Sequence, residues 1–196
     1  MFVQVIKGRT RDADGLRRQT DRWREDVRPG AVGFLGSTFG IADDGTFIVF
    51  ARFADEGAAK ANADRPEQSA WWNETQKLVE GEASFRESSD VATLFDGGSN
   101  NAGFVQFMEG SVSDRAKAEA METPELLDQL RDARPDLLGV LRVWFADDTF
   151  AEAAYFTSED EARKGESSQE FTGPEQEFAQ VYGDMTYTDA RNPILT

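Results

Sequence analysis

Trp71, Trp72 and Asn73 stand consecutively, Gln4 near the start of the chain returns as Gln106, and Arg52 lies in an apolar run that carries Tyr155 in the later half. These are the side chains best suited to holding a small molecule. Indoles and amides can bind an aromatic, and a guanidinium can steer an acidic or phenolic group. The chain has no Cys and no His. Disulfides, thiol chemistry, Cys/His zinc sites and His-ligated haem are thereby excluded, as is any triad built on imidazole. Acid–base work falls to Asp, Glu, Lys, Tyr and water.

Each of these residues also has a purely structural reading. One of Trp71 and Trp72 packs a helix onto a sheet, since helix neighbours do not point the same way. Gln4 and Gln106 bond a neighbouring strand, and Arg52 pairs with one of the many acids. Trp23 belongs to an apolar stripe with Leu16 and Val27 and reads as core, as does Trp144 beside Phe145. Asp43-Asp44-Gly45 is hairpin-turn chemistry, and no metal site is expected.

The elements that must position these groups follow in order. Phe2 to Lys7 predicts a strand, and a helix capped by Asp12 or Asp14 runs to Pro29-Gly30. Ala31 to Ile41 and Thr46 to Phe53 predict two more strands around the Asp-Gly turn. On the second of these, Ile48, Phe50 and Arg52 share one face and Phe47, Val49, Ala51 and Phe53 the other. An Ala-rich helix over 55–63 precedes a Trp-bearing one opened by Pro66. Residues 82–95 predict a fourth strand, giving β-α-β-β-α-β.

The same order then recurs. Phe2-Val3-Gln4 returns as Phe104-Val105-Gln106, and Ala42-Asp43-Asp44 as Ala146-Asp147-Asp148. The Asp-x-Arg-Pro-x-x-x-Gly pattern of Asp26–Gly33 reappears at Asp132–Gly139, and Val79-Glu80-Gly81 at Val181-Tyr182-Gly183. This is a tandem duplication, with repeats over 1–96 and 102–196 joined by the polar Asp96–Asn101. In the second repeat Thr123-Pro124 divides the first helix into two pieces, and a polar loop leads to Pro174-Glu175-Gln176, an echo of Pro66-Glu67-Gln68.

Thirty-seven acids oppose 21 bases, for a net charge of -16. That disfavours nucleic acid and anionic membrane as partners. The N-terminus enters a strand without a basic, apolar leader, and no run reaches spanning length. A cytoplasmic protein, monomeric with an internal pseudo-dimer and open to further association, is expected.

A β-α-β-β-α-β unit is ferredoxin-like: an antiparallel sheet with helices on one face. Two such sheets packed face to face would form a pseudo-dimeric α+β barrel within one chain. In this, and in its short first strand, long second strand and Trp-bearing helix, the chain resembles the dimeric α/β-barrel superfamily, in particular its antibiotic-biosynthesis-monooxygenase-like members. The resemblance implies a cleft between sheet and helices in each repeat. It also implies cofactor-independent oxygenation of an aromatic or polyketide-type substrate, which itself donates the electron to O₂. Trp72 resembles the family's cleft Trp by helix position, with Trp71 its rival. Gln4 lies where relatives carry Asn. The missing His removes the metal ligand of the haem-degrading relatives. Two readings follow: a small-molecule, monooxygenase-like protein needing no cofactor, with a site drawn from Gln4, Arg52, Trp71, Trp72 and Asn73, or a non-catalytic barrel used for binding or as a scaffold.

Overall fold

The computed structural model describes residues 1–167 and 175–196. The echo at Pro174 lies outside the described residues. The chain divides into two compact units, Met1–Val91 with Ile194–Thr196, and Ala92–Pro193. Residues 92–96 thus fall to the second unit and residues 194–196 to the first.

The first unit contains β1 (Phe2–Arg9), α1 (Ala13–Arg22), β2 (Phe34–Ile41), β3 (Thr46–Phe53), α2 (Glu56–Ala63), α3 (Pro66–Gln76) and β4 (Ser84–Ser88). The expected cap forms at Asp12, which accepts the Gly15 N–H at 2.7 Å, and the structure adds one at Asp55, which accepts the Ala58 N–H at 2.8 Å. At the hairpin, Gly45 has φ +84° and a side chain there would strike the Thr10 carbonyl, so the turn requires glycine. Asp44 accepts the Thr46 N–H at 2.8 Å and its hydroxyl at 3.0 Å, which holds its carboxyl below the ordinary value. After α1 the helix widens into a π-helical turn, Trp23–Val27, before a short 3₁₀ turn at Arg28–Gly30.

Residues 82–95 do not form one strand. They form β4 and, separately, β5 (Val91–Leu94), which lie in different sheets. The tail likewise holds β10 (Ile194–Leu195). The first sheet therefore runs β10-β2-β3-β1-β4, the ferredoxin-like order with a fifth strand added beside β2.

The second unit contains β5, β6 (Phe104–Ser111), α4 (Arg115–Met121), α5 (Pro124–Ala133), β7 (Leu137–Trp144), β8 (Thr149–Phe156), α6 (Glu159–Ser167), α7 (Glu175–Val181) and β9 (Thr186–Arg191). Its sheet runs β5-β7-β8-β6-β9, so each sheet gains one strand from the segment that follows the other repeat's last strand. Thr123 caps α5 after the break that Pro124 imposes.

Strand register refines the repeat. Both second strands carry a bulge, at Phe34/Gly36 and at Leu137/Gly139, opposite Phe53 and Phe156. Gly139 is thus the counterpart of Gly36, not of Gly33 as the sequence motif pairs them. The helical segments before the two strands differ in construction, one π turn against two short helices, and this shifts the motif relative to the strand. Both bulge positions demand glycine for the same reason. A side chain at Gly36 would strike the Thr196 carbonyl, and one at Gly139 the Gly97 carbonyl, so the chain beyond each added strand passes directly over them.

In the first unit Leu16, Phe39, Ile41 and Phe47 form one buried cluster on the helix-facing side and Phe2, Phe53 and Ala59 another. Val3, Val5, Ile48 and Phe50, on the other face of the sheet, are also buried. In the second unit Phe104, Val140, Ala154 and Phe156 pack with Leu127 and Leu130 of α5, and Trp144 and Phe150 pack with Ala118 and Val181.

Candidate functional site

Between these two clusters of the first unit the helix-facing side of the sheet does not close. A cleft of about 100 Å³ remains, floored by residues of β1, β2 and β3, including Gln4, Phe39 and Val49, and roofed by the π turn, α2 and α3. Gln68, Trp71, Trp72 and Thr75 all line it. Their spacing of three and four places them on one helical face, so α3 turns a broad polar–aromatic surface toward the sheet.

The two tryptophans are not alternatives. Trp71 and Trp72 both line the cleft, with ring centroids 6.0 Å apart. Consecutive residues diverge by only about 100° around a helix, and rings this large both reach the rim of a concave surface. Trp71 is tied down by its Nε1, which donates to the Gln19 carbonyl at 2.7 Å. Trp72 instead packs edge-on to Phe85, 5.2 Å away, a half-exposed ring on β4.

Trp23, expected in the core, is a third wall of the cleft. Leu16 and Val27 of its stripe are buried. Trp23, however, opens the π turn, and its ring meets Phe34 at 4.8 Å and Trp71 at 6.4 Å. The extra residue of a π turn changes the direction in which following side chains leave the helix, and such turns are frequent at functional sites.

Arg52 does not join the cleft. It alternates with Ala51 and Phe53 on β3 and faces the other side of the sheet, where its Nη2 donates to the Thr196 carbonyl at 3.3 Å and its buried Nε has no partner among the described residues. Asn73 is exposed on α3 and is not among the lining residues. The structure thus brings together Gln4, Trp71 and Trp72, and adds Trp23, Gln68 and Asn62. The helical spacing of Gln68, Trp71, Trp72 and Thr75 carried a sequence signal for Gln68. Nothing local marked Trp23.

The polar groups of the cleft are amides and hydroxyls. Among the described residues no carboxylate, amine, guanidinium or phenol lines it. Gln4 Nε2 donates to Glu87 Oε1 at 2.5 Å, directly across the β1–β4 pair. On the opposite wall, Trp23 Nε1 donates to Gln68 Oε1 at 2.7 Å and Asn62 Nδ2 donates to the same oxygen at 3.3 Å. Arg65 Nη1 donates to Asn62 Oδ1 at 3.1 Å.

The same positions of the second unit are built differently. Register places Arg142 and Glu152 where the first unit has Phe39 and Val49. Arg142 Nε donates to Glu152 Oε2 at 2.6 Å, and its Nη1 bonds Glu122. Arg142 also stacks over Trp144 at 5.5 Å. Burial pushes the Glu152 carboxyl up from its ordinary value, and Arg142 opposes that shift. Burial works against the Arg142 charge, but Glu152 and Glu122 outweigh it and the guanidinium stays firmly protonated. The Tyr182 hydroxyl, raised in pKa chiefly by burial, is enclosed without a hydrogen-bond partner among the described residues. The amide–carboxylate pair is repeated, as Gln106 Nε2 to Asp189 Oδ1 at 3.0 Å.

No protein-family model and no curated protein matches the sequence. Solved structures do match in fold. A candidate monooxygenase from Lactobacillus acidophilus aligns over 100% of this chain and 99% of its own, at 12% identity and a TM-score of 0.71. One from Fusobacterium nucleatum aligns over 99% and 93%, at 11% identity and a TM-score of 0.77. An anthrone oxidase-like protein aligns over 100% and 92%, at 12% identity and a TM-score of 0.65. At such identities the likeness is one of fold, and it spans both units: the chain has the tandem ferredoxin-like α+β fold of these monooxygenase-like proteins.

Proposed function

We propose that the first unit binds a flat aromatic molecule in its three-tryptophan cleft and supports oxygenation of that molecule without a cofactor. The observation that carries this reading is the cleft itself, apolar and aromatic on both walls, with a few convergent amides. The full-length fold likeness to candidate monooxygenases and to an anthrone oxidase-like protein supports the same class of chemistry.

The chemistry asks little of the protein. A ring-activated CH₂ that loses a proton gives a carbanion able to reduce O₂. Oxygenation to the ketone then consumes one CH₂ and one O₂ and yields one C=O and one water. Among the described residues no titratable side chain lines the cleft, so the substrate is one acidic enough to release its proton to water. The cleft contributes orientation, exclusion of bulk solvent and hydrogen bonds to the delocalised anion.

The cleft volume sets a condition. An apolar cavity of about 150 Å³ holds one benzene, so a multi-ring substrate enters this smaller cleft only if the Trp72–Phe85 contact opens. The small volume also favours a second reading, a binding protein without turnover. Tryptophan-fluorescence titration with anthrone, followed by oxygen uptake, decides between them. Saturable quenching with oxygen consumption supports the enzyme, quenching alone supports the binding protein, and no quenching by anthrone or by phenol, a single-ring control that needs no opening, removes both.

A further inference from the structure

The orientation of each amide in the cleft is dictated by a charged neighbour. Glu87 is an acceptor when ionised, so Gln4 must turn its NH₂ toward it. Gln4 Oε1 is then the atom left for a ligand, and among the described residues nothing donates to it. On the other wall the logic starts from a donor. Arg65 can only donate, so Asn62 turns its oxygen to Arg65 and its NH₂ to Gln68. Gln68 must therefore present its oxygen to Asn62, and the same oxygen receives the Trp23 indole N–H. Gln68 Nε2 is the atom left over, and it has no acceptor among the described residues.

We propose that Gln4 and Gln68 select the ligand as a pair of opposite sense: Gln4 accepts a hydroxyl proton and Gln68 donates to a carbonyl, so that the preferred ligand is a neutral, planar aromatic carrying both groups. Glu87 and Arg65 are positioning residues that prevent either amide from turning over. The inference rests on the aromatic-cleft reading and adds the polar pattern of the substrate to it. Two further features agree. Among the described residues no cation lines the cleft to hold an anionic ligand, and the net charge of -16 repels one. In the second unit Asp189, the counterpart of Glu87, is bound by Arg163 as well as by Gln106, and Arg142 and Glu152 take up the floor, so the pattern is expected only in the first.

The test uses the full chain and a set of two-ring probes matched in shape, read by tryptophan fluorescence. These are 6-hydroxy-1-tetralone, 6-methoxy-1-tetralone (no donor), 5,6,7,8-tetrahydro-2-naphthol (no carbonyl), tetralin (neither) and 6-hydroxy-2-naphthoate (anionic). The hydroxytetralone is expected to bind tightest, with loss of either group weakening binding by about tenfold and the anion not binding. Gln68→Leu should erase the preference for the carbonyl and keep that for the hydroxyl, and Gln4→Leu the reverse. Glu87→Gln, whose side chain can donate as well as accept, should reduce only the hydroxyl preference. Gln68→Glu, which keeps the shape and loses the donor, serves if the leucine variant does not fold. If tetralin binds as well as the hydroxytetralone, or if the two preferences fall together in every variant, the polar pairing is wrong while the aromatic cleft stands. If no probe binds, both are wrong.

Discussion

Arg142 and Glu152 face each other across β7 and β8 at the positions that Phe39 and Val49 occupy across β2 and β3. One register thus supports an apolar cleft floor in the first unit and a buried ion pair in the second. The pair joins Glu122 in a triad of one guanidinium and two carboxylates, with Arg142 and Glu152 each 7% exposed.

Removing one member of such a pair strands the other. Arg142→Leu should destabilise the second unit by about 3–5 kcal/mol. The double change Arg142→Phe with Glu152→Val, which copies the first unit, should cost far less and could stabilise, because it removes two desolvated charges together. Urea denaturation of the two variants and the parent chain checks the difference.

The raised carboxyl of Glu152 also gives stability a pH dependence. Its folded pKa lies above the unfolded value of 4.5, so the folded state holds the proton more tightly. Its contribution is then fully present below about pH 4.5 and is lost as pH rises through the folded value. Asp44 runs the other way: its lowered pKa contributes stability that is present above its unfolded value and lost on acidification. Glu152→Gln should flatten the fall in stability on going from acid to neutral pH, as measured by thermal melts across that range.

The two adjacent tryptophans should separate stability from binding. Trp71→Phe loses the 2.7 Å hydrogen bond to the Gln19 carbonyl and should cost about 1 kcal/mol or more. The Trp72 indole N–H has no partner among the described residues, so Trp72→Phe should leave stability within about 0.5 kcal/mol and reduce the ligand-dependent quenching to what Trp23 and Trp71 supply. Paired denaturation and fluorescence titrations distinguish the two.

Phe85 covers Trp72 from β4 with half its surface exposed. Phe85→Ala should therefore open the cleft mouth, and raise the association rate of multi-ring ligands more than that of single-ring ones, in stopped-flow quenching.

The strand β10 closes the edge of β2. Ile194 pairs with Phe39 and packs on the Leu16 cluster, while Ser37 and Thr196 exchange backbone hydrogen bonds of 2.9 and 3.0 Å. Ile194→Ala should cost roughly 1–2 kcal/mol, less than a fully buried truncation, and speed hydrogen exchange at the Ser37 amide while leaving β7 unchanged.

Sequence alone determined the elements and their duplication, because those follow from local physics. Period-two apolar runs, the Asp-Gly turn, the Asp12 cap and the helix starts at Pro66 and Thr123-Pro124 need no distant partner to act. The internal repeat then supplied the ferredoxin-like order. Register and long-range pairing are different in kind, since they depend on which residues meet across the sheet. Only the tertiary structure showed that residues 82–95 serve two sheets, that Gly139 answers Gly36, and that Arg52 faces away from the cleft. Trp23 looked like core because its stripe is regular; the π turn that re-aims the helix at that residue leaves no mark in apolar spacing. Gln4 and Gln68 each read as one of many polar residues. Their opposite senses come from Glu87, 83 residues from Gln4, and from the Arg65–Asn62 contact. An amide has no preferred sense until a charged neighbour imposes one, and that neighbour is placed by the fold.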